Sequence, residues 1–123
     1  MNAQRLQASL DDMASLPGVV GCALVEMGTG MVWNSSGEIA GLTALAEAAS
    51  DYWRLYQRLQ PNFEQVGKLR ACVMMHDTGR ITLLPCGSGM LLVTITTQQA
   101  QVDWKTWQTR TKDLAVLVDR GGA

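Results

Sequence analysis

The sequence predicts an α+β domain: a five-stranded antiparallel sheet with helices on both faces, in the order α-β-β-α-β-β-β-α. Three observations carry this. Val19 to Val25 and Met90 to Ile95 show no polar alternation, and Leu69 to Met75 is broken only by Arg70. A strand with one wet face alternates, so these strands are expected to be covered on both sides. Each link that joins one strand directly to the next is too short for a parallel crossover, so the sheet is expected to be mostly antiparallel. Finally, the long middle helix carries more apolar surface than packing on one sheet requires.

The first helix places Leu6, Leu10, Met13 and Leu16 on one stripe. Pro17-Gly18 ends it, because proline disfavours helix in the residue before it and glycine accepts left-handed backbone. The first strand is expected over about Val19 to Glu26. The turn Gly28-Thr29-Gly30 then leads into a short edge strand, Met31 to Trp33. Ser35 and Glu38 have capping-box spacing and are read as opening the second helix, which runs to about Leu59 ahead of Pro61-Asn62. Leu42, Leu45, Ala46, Ala49, Tyr52, Tyr56 and Leu59 form its main stripe; Ala44, Ala48, Leu55 and Trp53 lie off it.

The third strand is expected from Lys68 to His76. Asp77-Thr78-Gly79-Arg80 reads as a hairpin turn with Gly79 at positive φ. The fourth strand is Ile81 to Leu84, stopped by Pro85, and Gly87-Ser88-Gly89 turns the chain into the fifth, Met90 to Thr97. Asp103 is the expected N-cap of a last helix presenting Trp104, Trp107, Thr111, Leu114 and Leu117, with a frayed tail from Arg120 to Ala123. The first and fifth strands belong in the middle of the sheet.

The 123 residues make one domain, able to bury roughly two-thirds of its unfolded surface without disulfide or metal. Only 17% of the residues are charged and the net charge is −1, with Lys and Arg dispersed. That excludes a nucleic-acid-binding face, which draws its affinity from clustered basic side chains. The N-terminus runs directly into amphipathic periodicity and not into a secretory segment, and no apolar run reaches the ~20 residues of a membrane span. Three cysteines without paired spacing suit reduced thiols in a cytoplasmic compartment, where the Asn34-Ser35-Ser36 sequon is a chance match.

Motifs of catalysis and cofactor binding fall away one by one. Cys22 and Cys72 sit inside apolar strands, where cysteine acts as a small hydrophobe. Cys86 beside a turn and the lone His76 are the only candidates for a nucleophile and its base, with no third group to orient them. Cys/His spacing for zinc is lacking. Gly67-Lys68 has neither the upstream glycine nor the hydroxyl residue of a phosphate loop, and Gly28-Thr29-Gly30 precedes a strand, not a helix. No cofactor is expected. Tyr52, Trp53 and Tyr56 cluster on adjacent faces of one helix, and three large rings cannot all point into one sheet.

The helix leading into Leu16-Pro17-Gly18-Val19-Val20-Gly21, then Leu24-Val25-Glu26 and a glycine turn, resembles the opening of the roadblock dynein-light-chain domain. The likeness continues through the Ala-rich second helix, the strand ending at His76 and the Leu91-Leu92-Val93 strand, covering about Leu6 to Leu117. Two departures are the glycine-richer turn at Gly28-Thr29-Gly30-Met31 and the bulk of Tyr52-Trp53. The resemblance implies a roadblock/profilin-like three-layer sandwich, with the second helix on one face and the terminal helices on the other. It implies a homodimer, or a heterodimer with a paralogue, in which third strands pair edge to edge and second helices pack together. On this sequence that assigns Leu45, Ala48, Ala49, Tyr52, Trp53, Tyr56, Arg70, Cys72 and Met74 to the interface. Members of the family are non-catalytic, and many prokaryotic ones regulate or place a small Ras-like GTPase, the partner expected here. The alternatives are a scaffold or motor-complex subunit without a GTPase, and a small-ligand-sensing domain.

Overall fold

A computed structural model of the chain describes residues 2–97 and 102–121. The elements are α1 (Asn2–Ala14), β1 (Val19–Glu26), β2 (Val32–Gly37), α2 (Leu42–Arg58), a 3₁₀ segment (Gln60–Val66), β3 (Cys72–Met75), β4 (Gly79–Pro85), β5 (Met90–Thr97) and α3 (Trp104–Gly121). The order is the expected one, and all strand pairs are antiparallel, arranged β2-β1-β5-β4-β3.

Strand periodicity explains the apolar runs. Cys22 and Leu24 of β1, with Met90 and Leu92 of β5, join Leu6, Leu10, Met13, Trp107, Leu114 and Val118 of α1 and α3 in one core. Their neighbours Ala23, Val25, Leu91 and Val93 face the other way and pack with Leu42, Ala46, Ala49 and Trp53 of α2. Successive side chains on a strand point to opposite faces, so both must be apolar where both are covered. At β3 this expectation fails. Only Cys72–Met75 is strand, and Val73 and Met75 are 57% and 66% exposed. β3 lies at the sheet edge, α1 packs over β1 and β2 with α3 beside it, and α2 packs chiefly on β1 and β2. Neither layer closes over the last strand.

The second strand also departs from expectation. It runs Val32–Gly37 and not Met31–Trp33, with Gly21 opposite Gly37 and Cys22 opposite Ser36; it is an edge, as expected. Ser35 and Ser36 therefore belong to the sheet and no capping box forms. The Ser36 hydroxyl donates to Asp11 (2.6 Å), and Gln7 Nε2 donates to the Ser35 carbonyl (3.0 Å). Helix α2 begins later, after Gly41 in left-handed conformation (φ 71°), with no side-chain cap. It ends at Arg58, one residue before the expected end, and the chain past Pro61 coils as the 3₁₀ segment where a plain loop was expected.

Gly79 is not at positive φ. The β3–β4 turn is made by Asp77-Thr78, with the His76 N–H donating to the Gly79 carbonyl (2.8 Å). A Cβ at Gly79 would sit 3.1 Å from the Thr96 carbonyl oxygen, so a side chain there would push β4 and β5 slightly apart. β4 consequently starts at Gly79 and extends through Pro85, while β5 matches its expected span. Asp103 caps α3 by accepting from the Thr106 N–H (3.2 Å) and hydroxyl (2.8 Å). Gly121 is helical, and the rest of the expected frayed tail, Gly122 and Ala123, lies outside the described residues.

Candidate functional site

Helix α2 has two apolar faces. Leu42, Ala46, Ala49, Ser50 and Trp53 are buried against the sheet. A second row, Ala44, Ala48, Tyr52, Leu55 and Leu59, recurs every three to four residues and lies in water. Tyr52 is 60% exposed, Leu55 44% and Leu59 42%. A fully buried side chain of this size contributes about 1.5–3 kcal/mol relative to an exposed one, so the row holds a reserve of unused hydrophobic energy.

Its direction follows from the opposite flank. Arg54 donates to the Met27 carbonyl (3.1 Å) and pairs with Asp51, so its side of α2 faces the β1–β2 hairpin. The exposed row lies about 145° round the helix from the buried face, so it points away from the sheet and leans to the flank opposite Arg54, where Leu45 meets Ile81 of β4. Tyr56, half-buried between the two faces, stacks on Phe63 of the 3₁₀ segment at 4.7 Å. Cys72 and Met74 point to the same side as α2 and pack at the margin of its core.

The two sheet edges differ. At β2 the Glu38 N–H donates to the Val20 carbonyl (3.2 Å), and the alternation of the ladder turns the Ser35 main chain outward, where Gln7 covers its carbonyl (3.0 Å). A bulge at Leu24/Val25 distorts the same edge. Side-chain cover and bulges are how natural edges avoid adding strands. At β3, Met74 lies opposite Ile81, so the same alternation turns the N–H and C=O of Val73 and Met75 outward. Among the described residues no side chain covers them. The exposed row of α2 crowns its layer, and the open edge of β3 lies beyond that layer's margin on the flank opposite Arg54.

The residues expected at an interface divide accordingly. Ala48 and Tyr52 lie on the exposed row, Leu45 and Tyr56 are half-buried beside it, and Arg70 is exposed just ahead of β3. Ala49 and Trp53, both 3% exposed, are turned into the chain's own core and leave a partner nothing to touch. Ala44, Leu55 and Leu59 belong to the row and are missing from the expected set; their spacing with Ala48 and Tyr52 is the signal that identifies them. Val73 and Met75 carry no such signal, because an apolar run looks the same whether covered or bare.

The residues considered for catalysis are kept apart. His76 precedes one end of β4 and Cys86 follows the other, some six strand residues or roughly 20 Å away. The Cys86 thiol donates to the Thr111 carbonyl (3.7 Å) and is pushed up to about 12, mainly by burial. Cys22 donates to the Leu10 carbonyl (3.6 Å) and is likewise raised to about 12 by burial. Protonated thiols of this kind are structural. A cleft of about 930 Å³ lies near Val20, Ile39, Leu45, Ile81 and Ile95, with His76 and Arg80 among its lining residues. No helix among the described residues is long and apolar enough to cross a membrane, and no group of three His, Cys, Asp or Glu among them could hold a metal.

The chain is thus a five-stranded antiparallel sheet between helical layers, with one bare edge and one helix apolar on two faces. Neither a protein-family model nor a curated protein sequence matches the chain. Solved structures do. A Roadblock/LC7 domain from Streptomyces avermitilis superposes with TM-score 0.73 at 21% identity, covering 93% of this chain and 92% of that one. MglB in a tetrameric arrangement gives TM-score 0.82 at 16% identity, covering 97% and 91%. The gliding protein MglB from Thermus thermophilus gives 0.75 at 16%, covering 97% and 89%. At such identities the likeness is one of fold, and the chain has the Roadblock/LC7 fold.

Proposed function

We propose that this chain is a non-catalytic, dimeric interaction module, joined through α2 and β3, whose dimer docks a small Ras-like GTPase. The observation that carries the reading is that one chain presents both an exposed apolar row, Ala44, Ala48, Tyr52, Leu55 and Leu59, and an uncovered sheet edge at β3. A second copy related by a two-fold axis pairs β3 with β3 and packs row against row. Such an interface should bury at least the ~1,200 Å² of a stable complex. The GTPase partner is supported by the sequence resemblance to the roadblock family and by the shared fold.

Sedimentation velocity at micromolar concentration tests the assembly: the unmodified chain runs as a dimer, and Ala48→Glu, which brings a charge into the seam, runs as monomer. An unmodified chain that stays monomeric at those concentrations sinks the reading. The GTPase should bind the dimer and lose its affinity with Ala48→Glu.

None of Arg54, Arg58 and Arg80 stands in a recognisable motif for acting on a nucleotide. Arg54 is committed to Met27 and Asp51, and the Arg80 Nε donates to Met75 Sδ (3.1 Å). Any stimulation of hydrolysis then works by ordering the GTPase's own switch loops. Arg54→Ala, Arg58→Ala and Arg80→Ala should lower turnover no more than they lower binding, in titrations scored for both. A variant that binds normally and loses a hundredfold or more in turnover, as a removed arginine finger would, overturns the indirect mechanism.

A further inference from the structure

We infer that the β1–β2 hairpin, at the sheet edge opposite β3, carries a docking site for a basic segment of a partner protein, with an arginine laid on Trp33 and an apolar neighbour on Met31. β2 and β3 are the two outer strands, four spacings of ~4.8 Å or roughly 19 Å apart. The inference therefore does not depend on the dimer proposed above.

An exposed indole is the starting point. Trp33 is 48% exposed and Met31 60%, and Trp33 belongs to neither core. Trp33 is also the residue that the ladder skips. Leu24 pairs with Asn34 and Val25 with Val32, which leaves Trp33 as the extra residue of the bulge. Bulges at sheet edges re-aim a side chain. Here the re-aimed ring is then pinned. Its Nε1–H donates to Glu26 Oε2 (3.3 Å), the Thr29 hydroxyl donates to Glu26 Oε1 (3.2 Å), and the Met31 N–H donates to the Thr29 hydroxyl (3.1 Å). A ring held in place before binding loses little freedom when a ligand covers it.

Charge selects the occupant. Glu26 faces the side of α1 and α3, as Met90 opposite it in the ladder does. A carboxylate offers about four acceptor sites, so Glu26 can still take a guanidinium beside Trp33. The same guanidinium over the indole face gains cation–π attraction. Residues 6–53 hold Asp11, Asp12, Glu26, Glu38, Glu47 and Asp51 and neither Lys nor Arg. The bases that follow lie elsewhere. Arg54 and Arg58 adjoin Met27 and Gly28 on the α2 face of the hairpin. Arg5 is about 160° round α1 from Gln7, whose flank borders β2. The bases of α3 stand beyond α1. Such a surface attracts a basic protein segment and repels nucleic acid or an anionic lipid headgroup. Strand addition is not the mode, since Gln7 covers this edge and the bulge breaks it. Recognition runs through side chains.

The test uses a short unstructured peptide that repeats Ser-Arg-Leu-Gly, and its twin with citrulline, which keeps the shape of arginine and loses the charge. Each is titrated into the ¹⁵N-labelled full chain. The arginine peptide should shift the Trp33 indole N–H and the amides of Glu26, Thr29 and Met31, and leave those of Val73 and Met75 unmoved. The citrulline twin should bind about fivefold more weakly. Trp33→Leu should cut affinity for the arginine peptide about tenfold and Glu26→Gln about fivefold, with circular dichroism matching the parent. If either variant loses its fold, Met31→Gln, at the more exposed position, should still weaken binding about threefold. Shifts absent at millimolar peptide, shifts confined to other surfaces, equal affinity for the twins, or unchanged affinity in a folded Trp33→Leu or Met31→Gln protein each overturns the site.

Discussion

Single residues fix the local chemistry here through burial and backbone conformation. The three thiols differ: Cys22 and Cys86 are fully buried with their ionisation pushed up to about 12, while Cys72 is half-exposed and raised less. Alkylation at pH 8 followed by mass spectrometry should therefore modify Cys72 alone in the native protein. Because Cys72 lies beside the proposed seam, its rate should fall as protein concentration rises through the dimer range. Gly37 is the tightest backbone position. At φ 135° a Cβ would lie 2.4 Å from the Gly21 Cα and 2.5 Å from the Val20 carbonyl oxygen. Gly37→Ala should cost about 3 kcal/mol or more in urea unfolding, combining backbone strain with displacement of β1.

At the scale of the element, α2 separates stability from assembly within two adjacent positions. Trp53 is 3% exposed and Tyr52 60%. Trp53→Ala leaves a large cavity and should lose about 3–5 kcal/mol of stability. Tyr52→Ala should leave the monomer's stability within about 0.5 kcal/mol and weaken the dimer, seen as a rise in its dissociation constant by sedimentation. The edge strands form a second contrast. Gln7 bridges Ser35 and Asn34, accepting from Asn34 Nδ2 (3.0 Å) while donating to the Ser35 carbonyl (3.0 Å). Gln7→Ala should cost about 1 kcal/mol and speed amide exchange along β2, leaving β3 unchanged.

For the whole molecule, two carboxyls tie stability to pH. Asp11 is held below its ordinary value of 3.8 by the Ser36 hydroxyl and then by Gln7. Asp103 is lowered by the Thr106 hydroxyl and N–H. Each is ionised in the folded chain at pH values where the unfolded chain is already protonated. Their contribution is therefore complete above about 3.8 and is lost as the pH falls through the lowered values. Thermal midpoints should drop on acidification below pH 4, and Asp103→Asn, which keeps an acceptor at the cap, should flatten that drop. The lost contributions hold α1 to β2 and start α3, so the side of the sheet away from α2 should loosen first.

The sequence by itself determined the element order, the antiparallel sheet, the central strands and the three-layer plan. These rest on short-range facts: periodicity, turn residues and link lengths act within a few positions. Tertiary structure decided what depends on distant partners. Ser35 and Glu38 have capping spacing, yet Gln7, Asp11 and Gly21 recruit that stretch into a strand from 14 or more residues away, and no local pattern reports such partners. Trp53 and Tyr52 are 100° apart on a helix, and only the shape of the sheet beneath selects which ring goes inside. Most of the candidate surface was legible as surplus apolar area on α2. Its location was not, because an apolar side chain in β3 reads alike whether helices cover it or, as for Val73 and Met75, leave it bare. Coverage is a property of how layers are sized against one another, and that is fixed only when the chain closes.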